Sequence, residues 1–141
     1  MSSGDQHVYL EKYARWMNCP NLDREIHDEL KGIADSHDEI KERFYQNIQF
    51  GTGGFRGIIG AGTDRMNVYT VRKATQGLAQ AIHRLSADGV GNENSTDRVN
   101  IANRETNQQE KSVVIAYDCR HKSRYFAEQA AMVLAANGIR A

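Results

Sequence analysis

The sequence has 141 residues, room for one domain of the usual size of roughly 100–200, and it carries 18 Lys plus Arg against 18 Asp plus Glu. A formal net charge of zero argues against a general nucleic-acid binder, which shows a basic excess, and against a polybasic membrane anchor. Hydrophobic residues at 40% and charged residues at 26% suit a soluble globular domain, and no apolar run reaches the roughly 18 residues of a membrane-spanning helix.

The start, Met1-Ser2-Ser3-Gly4-Asp5, has neither a basic stretch nor an apolar one, so no signal peptide is expected. The first 50 residues read as helices. Tyr9, Tyr13, Trp16 and Met17 follow helical spacing behind Asp5, a candidate N-cap. Pro20-Asn21 breaks the chain before a second stripe, Leu22, Ile26, Leu30 and Ile33. Ser36-His37-Asp38-Glu39 has the form of a capping box and leads into Ile40, Phe44 and Ile48. These stripes carry no visible chemistry and read as packing faces.

Glycines at 51, 53, 54, 57, 60 and 62 then mark a turn-rich segment with short extended pieces such as Arg56 to Ile59. Val68 to Leu85 returns to helical period through Val71, Ala74, Leu78, Ala81, Ile82 and Leu85. Ser86 to Lys111 loses all period and reads as an exposed polar loop insertion. Val113-Val114-Ile115-Ala116-Tyr117 is a β-branched apolar run, expected to be a buried strand between the flanking helices. Asp118 to Lys122 leaves its end. Ser123 is a candidate N-cap for a helix carrying Phe126, Ala130, Val133 and Leu134, closed by Asn137-Gly138. A β-α unit followed only by Ile139-Arg140-Ala141 reads as truncated.

Two segments carry chemistry. Consecutive backbone N–H groups in a glycine loop form an anion-binding concavity, and the guanidinium of Arg56 adds a fork suited to phosphate. The same residues also describe a plain glycine-rich turn with a solvated arginine. Neither the Walker A pattern nor the dinucleotide pattern is met, since Thr63-Asp64 stands where Lys-Ser/Thr belongs and Arg56 or Arg65 where the last glycine belongs. The second segment, Asp118-Cys119-Arg120-His121-Lys122, lies where a strand gives way to a helix, a place that favours anionic ligands. Its plainer reading is an Asp118–Arg120 pair holding a turn. Cys19 and Cys119 form no metal or disulfide pattern, which makes a reducing cytoplasmic compartment the expectation. The five histidines are scattered singly, so no metal site is expected within the chain.

Phe50-Gly51-Thr52-Gly53-Gly54-Phe55-Arg56-Gly57, then Gly60 through Asn67, then Tyr69 through Gly77, and finally Val114 through Ser123 occur in an order that resembles the N-terminal part of the α-D-phosphohexomutases. The phosphoglucomutase/phosphopentomutase branch, with its N-terminal extension, is the nearest match, and the resemblance covers about residues 40 to 141. It implies an incomplete α/β/α first domain with a mixed sheet over 51–141, interrupted by a polar insertion at 86–111 and preceded by a helical extension over 1–50. It implies transfer between a phosphoserine and a phosphosugar through a bisphosphate intermediate, with Mg²⁺ beside the phosphoserine and a sugar bisphosphate as activator. By the resemblance Arg56 is catalytic, while Thr52, Gly53, Gly54, Arg56 and Lys122 contact the phosphosugar. The family's serine loop, Asp-Gly-Asp metal loop, sugar-reading loop and C-terminal phosphate loop are absent from the sequence. The chain alone is therefore expected to be inactive, with the Mg²⁺ ligands and the nucleophile lying beyond its end. A non-catalytic phosphate-binding or interaction fragment is the alternative. No nucleic-acid or membrane partner is expected.

Overall fold

A computed structural model describes residues 3–51, 54–88 and 111–141. The chain forms two compact units, Met1–Thr70 and Val71–Ala141. The division follows the glycine segment, which therefore groups with the helices before it and not with the chain after it.

In the first unit, α1 (Ser3–Met17) packs on α2 (Arg24–Gly32) and on α3 (His37–Phe44). Helix α1 begins ahead of Asp5, so Asp5 is not its cap. The cap that matters is Asp23, whose Oδ1 accepts from the N–H groups of Glu25 at 3.0 Å and Ile26 at 3.3 Å. Ser36 caps α3 as its sequence suggests, with Oγ accepting from Glu39 N at 3.4 Å. The apolar stripes converge on one core of Tyr9, Ile26, Leu30, Ile40, Phe44 and Ala61. Aromatic edges lock it: Tyr13 and Trp16 meet Phe44 with ring centroids 5.8 and 5.6 Å apart, and Trp16 meets Tyr69 at 5.4 Å. Such edge-to-face pairs add about 0.5–1.5 kcal/mol each beyond the area they bury. The Tyr13 hydroxyl donates to Leu30 O at 3.0 Å. Burial, with Asp35 nearby, pushes the Tyr13 phenol above its ordinary range.

Two short strands follow, β1 (Phe50–Gly51) and β2 (Gly54–Phe55), paired antiparallel with Phe50 opposite Phe55. They form the only sheet among the described residues, so the expected mixed sheet is not formed there.

The second unit is built on α4 (Val68–Asp88), whose first turn is counted with the first unit, and α5 (Ser123–Ala136). Its core is small: Ala79, Leu134 and Ile139, with Ile82, Val113 and Ile115 against them. Asn137 ties the two helices together. Its amide exchanges hydrogen bonds with Gln76 at 3.0 and 2.9 Å, and its carbonyl lies 3.0 Å from His83 Nε2. Arg72 reaches Gln129 from α4 as well. Gly138, with φ of 69°, closes α5 in the left-handed conformation that glycine adopts without penalty.

The run Val113–Tyr117 is not the buried strand its composition suggests. A single parallel bridge joins Ser112 to Arg140, with Val113 N donating to Arg140 O at 2.8 Å. Beyond it Val114 is 95% exposed and Tyr117 59% exposed. The alternation explains this: Val113 and Ile115 face the core, and Val114 faces away with nothing packed over it. A continuous apolar run is buried on both faces only where helices cover both sides of a paired strand. Of the expected loop 86–111, Ser86 to Asp88 belong to α4 and 89–110 lie outside the described residues.

Candidate functional site

The glycine segment has two halves with different physics. From Gly60 to Asn67 every turn is fastened. Glu29 on α2 accepts from Ala61 N at 3.0 Å and pairs with Arg43 of α3, which also binds Glu39 at 3.1 Å. Burial works against the Arg43 charge, and the hydrogen bonds it donates to Glu29 and Glu39, with their negative charges, outweigh it, raising the Arg43 pKa. Asn67 sits at the centre. Its Nδ2 donates to Gly60 O and Gly62 O, both at 2.9 Å, while its Oδ1 accepts from Tyr69 N and Thr70 N at 3.1 Å. Asn67 is thus both the N-cap of α4 and the staple of the loop. One glycine, Gly62, is required by backbone contact and positive φ, and a second, Gly60, fits closely against the Glu29 carboxylate. A Cβ at Gly60 would stand 2.8 Å from Glu29 Oε1, and one at Gly62, where φ is +130°, would stand 2.7 Å from the backbone oxygen of Arg43. Arg65 closes this half with a 2.7 Å ion pair to Glu42.

The half that precedes it is open. Arg56 follows β2 directly, is exposed, and has no hydrogen bond or ion pair among the described residues. Behind it Met66 N donates to Ile58 O at 2.8 Å and Gly60 N to Met66 O at 3.1 Å, so the backbone that carries Arg56 runs into the fastened half. Thr52 and Gly53 lie outside the described residues, and Gly54 pairs with Gly51.

In the second unit Asp118 and Arg120 make the plain structural pair. Arg120 Nε lies 2.8 Å from Asp118 Oδ2, and Arg120 N donates to Asp118 Oδ1 at 3.1 Å. That backbone hydrogen bond, followed by Ser123 and the Arg120 guanidinium, holds the Asp118 carboxyl below the usual carboxylate range. Ser123 is not the N-cap of α5. Its hydroxyl accepts from Asp118 N at 3.2 Å, and Lys122 takes the cap position in a left-handed conformation with φ of 57°. Among the described residues Lys122 is the only non-glycine with positive φ, a conformation costing about 1–2 kcal/mol.

Residues 95–141 match the model of the family described as phosphoglucomutase/phosphomannomutase, alpha/beta/alpha domain I. A phosphoglucomutase of Staphylococcus saprophyticus is 34% identical over 106 residues, covering 75% of this chain and 15% of its own length. A probable phosphoribomutase of Schizosaccharomyces pombe is 34% identical over 109 residues, 76% of this chain and 15% of the relative. A phosphoglucomutase of Staphylococcus aureus is 35% identical over 97 residues, 69% of this chain and 14% of the relative. The chain belongs to the phosphohexomutase superfamily. It spans about 15% of the length of these relatives. No solved structure matches it.

In this phosphohexomutase chain Arg56 lies in the first unit and Lys122 in the second. The supporting residues Glu29, Arg43 and Asn67 are absent from the sequence-based expectations. For Asn67 a local signal exists, an Asn immediately before an apolar helical stripe with Thr three residues on. For Glu29 and Arg43 there is none, because their contacts with the loop span 32 and 18 residues.

Proposed function

We propose that this chain is the first part of a sugar-phosphate mutase and that Arg56 stabilises the transferring phosphoryl group. The observation that supports this reading is the contrast within one segment: an exposed guanidinium, without a partner among the described residues, on a backbone that runs into a heavily fastened loop. Phosphoryl transfer depends on positioning and on cations aimed at spreading negative charge. A guanidinium with no internal carboxylate keeps its donors for an incoming anion. Gly53, Gly54 and Gly57 add no side-chain bulk beside it.

The names of the relatives support both a hexose and a pentose monophosphate as substrates. The superfamily implies Mg²⁺ and a sugar bisphosphate activator. Among the described residues no three His, Cys, Asp or Glu side chains come together to hold a metal ion, so no ligand is assigned and no step is derived through it. No described helix is long and apolar enough to cross a membrane. A cytoplasmic location is part of the same proposal.

The test uses a full-length protein containing this sequence. It is expected to convert glucose 1-phosphate or ribose 1-phosphate to the terminal phosphate isomer, while the 141-residue chain alone converts neither. Failure of the full-length protein on both substrates, or turnover by the short chain, overturns the reading.

A further inference from the structure

A second feature of the first unit points to a ligand, at a place distinct from Arg56 and independent of the mutase reading. Lys12, Arg15, Trp16, Cys19, Asn47, Thr63 and Tyr69 line an open cavity of about 450 Å³. That volume lies within the range of roughly 300–1,000 Å³ typical of small-molecule sites.

Its chemistry is lopsided. Lys12 and Arg15 lie on one face of α1 at i, i+3 spacing, and no lining residue is a carboxylate. Arg15 has no hydrogen bond or ion pair among the described residues, and Lys12 donates only to Tyr45 O at 3.3 Å. Most of their donor capacity is unspent.

The walls are fixed in advance. The Tyr69 hydroxyl accepts from Asp23 N at 2.7 Å, and its ring stands edge-on to Trp16. Asn47 is displayed between two anchors: Thr63 Oγ1 donates to Gln46 O at 2.7 Å, and Ile48 N donates to Thr63 O at 2.8 Å. The Asn47 amide itself has no partner among the described residues. An aromatic wall, an unspent amide and two cations in a lining that holds no carboxylate match a small ring that carries a dianion.

We propose that this cavity binds a phosphate monoester borne on a ring, the phosphate on Lys12 and Arg15 and the ring against Trp16 and Tyr69. Sugar phosphates and mononucleotides share that chemistry. Preorganised walls reduce the ordering cost of binding, and charge-assisted bonds from two cations supply most of the affinity.

Trp16 is the only tryptophan in the chain, so its fluorescence reports on the cavity directly. The 141-residue chain is titrated at constant ionic strength with glucose 6-phosphate, AMP, inorganic phosphate, glucose and adenosine. One or both esters are expected to change the emission saturably, and the two arms decide which ring is preferred. Phosphate, glucose and adenosine are expected to bind at least about tenfold more weakly. Lys12→Gln with Arg15→Gln is expected to weaken ester binding about tenfold or more. Arg15 is exposed and Lys12 half-buried, and a far-ultraviolet circular dichroism spectrum checks that the helices persist. Equal binding of the uncharged compounds, unchanged affinity in the double variant, or no saturable response to either ester overturns the proposal.

Discussion

Arg56 and Arg65 belong to the same glycine-rich segment and have opposite fates. Arg65 is nearly buried and paired with Glu42 on α3 at 2.7 Å, whereas Arg56 is exposed without a partner among the described residues. Residue type does not separate them. What separates them is where the preceding helices place their acids: Glu29, Glu39 and Glu42 all serve the 60–67 half or the arginine that braces it, and none reaches Arg56. The segment thus spends its carboxylates on rigidity at one end and leaves a cation available at the other.

The sharpest way to break this comparison is to remove the exposed arginine, Arg56. In a full-length protein containing this sequence, if it has the proposed mutase activity, Arg56→Ala is expected to lower kcat by about 10²–10³, the usual loss for one preorganised electrostatic contact, with little change in melting temperature. Arg56→Lys is expected to restore only part of the rate, because a point charge lacks the bidentate fork. Steady-state kinetics beside thermal melts read both effects. A folded Arg56→Ala enzyme with near-normal kcat would make Arg56 a turn residue like any other.

Gly62→Ala tests the fastened half. The methyl would meet the Arg43 carbonyl from a backbone with φ of +130°, so a stability loss of about 2–3 kcal/mol is expected. Denaturant unfolding of the chain measures it, and a loss below about 0.5 kcal/mol, the range of ordinary surface substitutions, would show that this half yields easily.

The smallest effect concerns pH. The hydrogen bond from Arg65, and then its charge, hold the Glu42 carboxyl below the usual range. A carboxyl depressed by folding contributes stability that is fully present above its unfolded pKa and is lost as pH falls through the folded pKa. Melting temperature is therefore expected to decline on acidification through the carboxylate range, and Glu42→Gln to flatten part of that decline. Because Glu42 is largely exposed, solvent screening keeps the effect modest. Identical pH profiles for the two proteins would leave Arg65 held by packing alone.

Local order was legible in the sequence where a residue acts on its neighbours. The Ser36 cap, the Pro20-Asn21 break, the Val68 helix and the Asn137-Gly138 closure depend on contacts within one turn. Residues that act over longer spans were not. Leu22 and Ile33 lie outside α2 yet still pack on its core, because their burial is decided by α1 and α3. The strand reading of Val113–Tyr117 misjudged burial for the same reason: composition shows a preference for the interior, and only packed neighbours provide one. At the candidate site the free arginine was visible as a charge among glycines. The brace behind it was not, since Glu29 looks like any solvated acid on an amphipathic helix.

That brace bears on modularity. Glu29 and Arg43 belong to the helices, and the loop they hold belongs to the glycine segment that carries Arg56. A chain starting at Gly51 would keep every glycine of the loop and Arg56 but lose the carboxylate that receives Ala61 N and the side chain against which Gly60 fits. The helices before the loop are therefore part of its mounting, and transplanting the loop into another protein would require carrying α2 and α3 with it.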